Sequence, residues 1–180
     1  MYYIGIDVGG MSIKAGVADI NGNVLHKTTI VTRGNYDAEY TISNDIHKLI
    51  VKLLDEANIP EEKIAAVGIG QAGSIDSERG IINYWNNIPM KNVHVVEELK
   101  KWHKMPVFID NDANVAALGE CVFGAAKGLR NVMLVTLGTG VGSGIIIDGK
   151  VYRGEYGAGA EAGHMRIVMN GEPCTCGGRG

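Results

Sequence analysis

Four polar side chains, Asp110, Asn111, Asp112 and Asn114, crowd into the segment FIDNDAN at 108–114. An apolar run precedes them and an apolar, helix-like stretch follows, so they stand at a strand-to-helix joint. Capping such a helix needs only one acceptor for a free N–H. Four polar groups exceed that need and point to a site, where a carboxylate can take the proton of an alcohol, an effect worth ~10²–10⁴-fold in rate. A second chemistry is offered by two glycine turns, Gly9-Gly10 and Gly138-Thr139-Gly140. Backbone N–H groups in such turns can approach phosphate oxygens, and two facing turns could hold a nucleotide's phosphate chain. Neither turn has the GxGxxG or GK[ST] spacing, so dinucleotide-fold and Walker readings fail. Asp7 ends what reads as a buried strand, where a metal ion or Lys14 is expected to compensate its charge. The third cluster is Glu161, His164, Cys174 and Cys176. A histidine followed by Cys-x-Cys supplies three ligands suited to zinc, whose structural sites usually take four.

The elements that must position these groups follow from patterning. Tyr2 to Asp7, Ser12 to Ala18 and Val24 to Val31 read as an antiparallel meander with Asn21-Gly22 as a hairpin signal. Between Asp37 and Asn58 the residues Ile42, Ile46, Leu49, Ile50, Leu53 and Leu54 lie on one helix face, and Pro60 is expected to stop that helix. Ala65 to Gly70 predicts a short buried strand, Ile81-Ile82 another, Val93 to His103 an amphipathic helix, Val107 to Ile109 a strand and Ala113 to Ala126 a buried helix. Val132 to Leu137, the second glycine turn, Ile145 to Ile147 and Asp148-Gly149 repeat the opening pattern. Two related hairpins predict two related lobes, the first spanning about 1–112, with a ligand cleft between them.

Composition narrows the class. The chain has 180 residues, 46% hydrophobic and 21% charged, enough for a real core. With 17 basic against 20 acidic residues and a net charge of −3, it lacks the basic stripe of a nucleic-acid binder. The opening MYYIGIDVGG is unlike a signal peptide, and no apolar run approaches the ~20 residues of a membrane span. A soluble, cytoplasmic protein with neither membrane nor nucleic-acid partner is expected. Three cysteines do not make a disulfide framework. Of 26 glycines, 13 fall after residue 137, which predicts unusual backbone angles or close approach to a ligand there.

In order along the chain, IGIDVGGMSIKAGV, GIGQAGSID, YWNNIPMKNV, FIDNDANVAALGE, LGTGVGSGIIIDGKVYRG, EAGH and CTCGGRG resemble the ROK family (repressor, open reading frame, kinase), most closely its bacterial glucokinases. The resemblance implies an α/β fold of actin-like, hexokinase-type (ribonuclease H-like) lobes, with a mixed sheet flanked by helices. It implies an N-terminal lobe over 1–112 and the beginning of a C-terminal lobe over 113–180. It further implies an ATP-dependent kinase that phosphorylates a hexose hydroxyl, most simply that of glucose, with Mg²⁺. Gly5, Asp7, Gly9, Gly10, Met11, Ser12 and Lys14 fall on the first ATP-phosphate segment, and Gly138, Thr139, Gly140, Val141 and Gly142 on the second. Asp112 falls on the catalytic base. Gly73, Asn87, Asn111, Asp112, Glu161 and His164 fall on sugar-binding positions, and His164, Cys174 and Cys176 on ligands of a structural Zn²⁺. Met11 stands where the family usually has threonine, which is expected to weaken ATP binding, and Ser143 where it usually has glycine. Family members run on beyond Gly180 with a further zinc cysteine and most of the second lobe. These 180 residues are therefore expected to be inactive alone, to hold zinc weakly and to expose part of an apolar face, and the full-length protein to be a homo-oligomer. The alternatives are a sugar-responsive repressor, which would carry a DNA-binding segment before Tyr2, and a kinase for N-acetylmannosamine, N-acetylglucosamine or fructose.

Overall fold

The computed structural model describes residues 1–85, 88–138, 140–155, 157, 159–174 and 176–179. The chain divides into two compact units, Met1–Asp112 and Ala113–Gly180.

The first unit opens with the meander β1 (Tyr2–Val8), β2 (Ser12–Asp19) and β3 (Val24–Val31). Its apolar alternation puts Ile4, Ile6, Val8, Ile13, Ala15 and Val17 on one face, all buried. Helix α1 (Ile42–Ala57) buries the six apolar residues of its predicted stripe. The helix begins later than the sequence implied. Asp37 accepts the amides of Glu39 and Tyr40 at 2.9 and 2.8 Å, which holds 37–40 in a turn. Thr41 then caps the helix, its amide donating to Asn44 Oδ1 at 2.8 Å. Pro60 is not the stop: Asn58, in the left-handed region at φ 52°, ends the helix two residues earlier.

Strand β4 (Ile64–Gln71) then enters the sheet, followed by a small antiparallel sheet of β5 (Ser74–Asp76), β6 (Ile81–Trp85) and β7 (Met90–Val93). Helix α2 is one short turn, Val95–Leu99, rather than the longer helix the pattern predicted. Val93 is taken by pairing with Ile82, and the chain after Leu99 tightens into i→i−3 bonds from Lys101 and Trp102. Strand β8 (Val107–Asn111) completes a five-stranded sheet of order β3-β2-β1-β4-β8, in which β1, β4 and β8 run parallel. The apolar core lies between this sheet and α1 and extends to Trp85, Met90, Val95 and Leu99. Burying each such side chain is worth about 1.5–3 kcal/mol. The opposite sheet face is open: Gly5, Asp7, Lys14, Gly68 and Phe108 are exposed there.

Helix α3 (Asp112–Phe123) starts at the last residue of the first unit and continues into the second. It is not the buried helix predicted, because only Ala113, Asn114 and Ala117 are buried while Leu118, Val122 and Phe123 are exposed. The second unit continues with the antiparallel strands β9 (Val132–Leu137), β10 (Val141–Ile147) and β11 (Lys150–Val151) in the order β11-β10-β9. Asp148 and Gly149, at φ 51° and 78°, make the turn into β11. Glycine after residue 137 serves chain packing at two telling places. A Cβ on Gly144 would strike the Ala113 carbonyl and lie 2.9 Å from Ala117 Cβ, and one on Gly163 would strike the Val141 carbonyl. Close approach of α3 to β10, and of the 161–164 segment to the start of β10, explains both. No helix among the described residues is long and apolar enough to cross a membrane.

Candidate functional site

In the first unit the carboxyl ends of the three parallel strands lie side by side. Val8 is level with Gln71, and Gln71 with Asn111. Beyond them come the Gly9–Met11 turn, the Ala72–Gly73 turn and Asp112, at the edge where open α/β sheets bind ligands. Gly73 is required twice over. Its φ is +106°, and a Cβ there would sit 2.5 Å from the Tyr84 carbonyl. The turn is thereby fixed against β6, and its Gly73 carbonyl accepts the Asn111 side-chain amide at 3.4 Å.

The FIDNDAN joint is built as strand end and helix start. Asp110 is buried and accepts the Asn111 backbone N–H at 2.8 Å, Asn114 is buried, and Asn111 is half-buried. Asp112 is exposed on the first turn of α3, where aligned peptide dipoles favour a negative side chain. Gly73, Asn111 and Asp112 are therefore brought to one strand-end edge. Asn87 lies outside the described residues.

Around the first turn, Gly9 N–H donates to the Ser12 carbonyl at 3.0 Å, while Gly10 and Met11 are exposed. Asp7 corrects the reading of a buried carboxylate. Its side chain is 58% exposed on the open sheet face, paired with Lys14 Nζ at 3.4 Å across the β1–β2 ladder. Alternation explains this, since Ile6 and Val8 take the core face and Asp7 must take the other. Gly5 shares that open face and has no neighbour within 4 Å of a Cβ position.

In the second unit Gly138 N–H donates to the Gly140 carbonyl at 2.9 Å, closing the second turn; Thr139 lies outside the described residues. Val141 and Gly142 begin β10. Ser143, in place of the family's usual glycine, is buried. Its hydroxyl donates to the Ala160 carbonyl and accepts Ala162 N–H at 3.0 Å, pinning the segment that leads to Glu161 and His164 onto β10. His164 Nε2 lies 3.7 Å from Glu161 Oε2. Its Nδ1 lies 3.5 Å from Cys174 Sγ.

The ligand atoms of His164, Cys174 and Cys176 all lie within 4.8 Å of one another. A tetrahedral zinc with Zn–S ≈ 2.3 Å and Zn–N ≈ 2.0 Å would set S and N about 3.5 Å apart. The Cys174 thiol is drawn down to about 7 by hydrogen bonds from Cys176, backbone then side chain, and next by His164. That favours the thiolate a metal requires. The loop is tight, with Cys174 N–H donating to the Gly178 carbonyl and Gly177 N–H to the Cys174 carbonyl. The donor set fits Zn²⁺.

A family model described as ROK family matches residues 3–180. The chain belongs to the ROK family. Among curated ROK relatives, a glucokinase of Streptomyces coelicolor is 41% identical over 177 residues, covering 98% of this chain and 53% of the relative. A xylose repressor of Bacillus subtilis is 36% identical, covering 99% of this chain and 46% of the relative. Among solved structures, a ROK family glucokinase from Streptomyces griseus in complex with glucose and AMPPNP superposes with a TM-score of 0.85 at 38% identity, covering 100% of this chain and 55% of that one. The chain thus spans about half the length of the relatives it matches. Its fold is the actin-like, hexokinase-type α/β arrangement of ROK kinases, with the mixed sheet flanked by α1 as the motifs implied.

Sequence reasoning passed over two ROK residues at this edge. Gln71 is fully buried at the end of β4, its Nε2 donating to the Ala72 carbonyl at 2.9 Å while Oε1 has no hydrogen-bond partner among the described residues. A glutamine closing an otherwise apolar run was the available signal. Thr32 is buried beside the Gly9 turn, and nothing in its spacing marks it.

Proposed function

We propose that this chain belongs to an ATP-dependent hexose kinase, with glucose as the most fitting sugar, acting in the cytoplasm as a homo-oligomer. The observation that carries the reading is the strand-end edge of the first unit. It sets an exposed carboxylate, Asp112, beside Asn111, itself bonded to the Gly73 turn, on the same sheet as the Gly9–Ser12 turn. Asp112 takes the proton of the sugar hydroxyl as its oxygen attacks the γ-phosphorus. The bond from that phosphorus to the β–γ bridging oxygen breaks, and ADP leaves.

Gly73, Asn87, Asn111, Glu161 and His164 line the sugar, whose hydroxyls each donate and accept and so reward an amide and carboxylate lining. The amides around Gly9 to Ser12 and Gly138 to Gly142 hold phosphate oxygens, with Gly5, Asp7 and Lys14 flanking the first turn. Mg²⁺, when bound with ATP, neutralises phosphate charge. His164, Cys174 and Cys176 hold a structural Zn²⁺. The two ring nitrogens of His164 face different partners, so one can serve the metal and the other a hydroxyl. The glucose and AMPPNP bound by the similar Streptomyces griseus glucokinase support the choice of substrates.

The test is ADP release by the whole protein over a panel of hexoses, for the natural sequence and Asp112→Asn. The variant is expected to lose ~10²–10⁴-fold in kcat with sugar affinity kept; a near-normal rate would remove Asp112 as the base. Similarity to a xylose repressor supports a second reading, a sugar-responsive regulator. Sugar binding without ADP release from any hexose would favour it.

A further inference from the structure

We infer that Thr32 is the positioning residue of the first glycine turn: it takes up two of the turn's carbonyls and so leaves the turn's amides to an anion. The inference rests on reading that turn as a phosphate cradle. Thr32, the first residue after β3, is 7% exposed. Its hydroxyl donates to the Gly9 carbonyl at 2.7 Å and its backbone N–H to the Met11 carbonyl at 3.1 Å. The N–H groups of Gly10 and Met11 donate to no backbone carbonyl among the described residues, and Met11 is 85% exposed.

An anion-binding turn must do two things at once. It must present N–H groups and keep carbonyl oxygens, which repel phosphate, turned elsewhere. A carbonyl engaged by a donor is fixed toward that donor, and the plane of its peptide is fixed with it. The Gly9 carbonyl shares its peptide plane with Gly10 N–H, and the Met11 carbonyl shares its plane with Ser12 N–H. Holding the first therefore aims a group that the phosphate would need. The Gly9 N–H to Ser12 carbonyl bond closes the turn but does not fix the Gly9–Gly10 peptide plane. Glycine at both positions leaves that plane free to rotate, so an external clamp has something to restrain.

Thr32 is itself held from the side away from β3. Arg33 N–H donates to the Tyr36 hydroxyl at 3.3 Å. The hydroxyls of Tyr36 and Tyr40 donate to Asp45 at 2.9 and 2.5 Å. The Arg33 side chain lies 3.8 Å from Asp45 and 3.8 Å over the Tyr40 ring. Asp45 is buried on the first turn of α1. The strand before Thr32 and this anchor after it set the hydroxyl against the Gly9 carbonyl.

The test titrates AMPPNP with Mg²⁺, and separately glucose, into the whole protein by calorimetry for the natural sequence, Thr32→Val, Thr32→Ala and Thr32→Ser. Valine keeps the shape and the backbone N–H but not the hydroxyl donor. Thr32→Val and Thr32→Ala are expected to weaken AMPPNP ~3–10-fold. Glucose affinity should stay unchanged, the thermal midpoint should fall by no more than a few degrees, and Thr32→Ser should restore AMPPNP binding. Unchanged AMPPNP affinity in the valine and alanine variants overturns the inference. So does an equal loss of glucose and AMPPNP binding, or failure of both variants to fold, since either makes Thr32 merely structural. A natural protein that binds AMPPNP but phosphorylates no sugar would defeat the kinase reading while the Thr32 comparison still decided the inference; one that binds no AMPPNP defeats both.

Discussion

At the scale of single residues, the side chains that explain most about this protein are polar groups held among apolar ones. His103 is buried, its Nδ1 3.1 Å from Glu61 and its Nε2 3.0 Å from His47 Nδ1, while the His47 ring stacks on Trp102 at 4.7 Å. With His103 Nδ1–H donating to Glu61, its Nε2 must accept from His47 Nδ1–H, so a proton gained by His47 enters at Nε2. Desolvation, then His103, then Lys48 hold His47 below the usual histidine value of 6.5, with Glu61 opposing them. The unfolded chain therefore binds that proton more readily than the folded one. Stability contributed here is present above about pH 6.5 and is lost as pH falls from there toward the depressed folded value. The urea midpoint is expected to drop on acidification through this window, and His47→Gln to flatten the drop. An identical pH slope in the variant would clear His47 of the effect.

At the scale of elements, the decisive contact is α3 against β10. Gly144 lets the strand backbone approach Ala113 and Ala117 on the helix that begins with Asp112. Gly144→Ala meets backbone, not a flexible side-chain end, and should cost about 1–3 kcal/mol. If Asp112 is the base proposed above, the substitution should also lower kcat of the whole protein, because Asp112 is the first residue of that helix. An unchanged thermal midpoint would show that the packing yields freely. This contact also marks where the sequence was legible and where it was not. The hairpins were readable because alternation and glycine turns are local, and β3 runs from Val24 to Val31 as its pattern implied. The stripe of α1 was readable for the same reason, whereas its start was not, because Asp37 builds a turn that resembles a cap. Helix α3 reads as buried from its composition, yet burial depends on what lies opposite, which no periodicity encodes. The candidate site was legible where polar residues cluster in sequence, as at Asp110 to Asn114. It was opaque where one residue acts across space, as Thr32 does on Gly9.

At the scale of the whole molecule, apolar burial is unequal. Every residue of the main core cluster, from Ile4 to Ile109, belongs to the first unit. The buried apolar residues described in the second are Ala113, Ala117, Ala126 and Ile146, while Met133, Val135 and Leu137 on alternate positions of β9 stay exposed. A 112-residue unit with a helix-covered five-stranded sheet is large enough to fold cooperatively, whereas a unit whose buried apolar residues are mostly alanines gains too little to offset chain entropy. Residues 1–112 made alone are expected to unfold in urea in one cooperative step, with the near-ultraviolet signature of the buried Trp85 intact. Residues 113–180 alone should give a collapsed amide spectrum without dispersion. A gradual, non-cooperative transition for 1–112 would mean that its core depends on the second unit, and well-dispersed resonances from 113–180 would mean that α3 and the β9–β10 hairpin stabilise one another more than their buried surface implies.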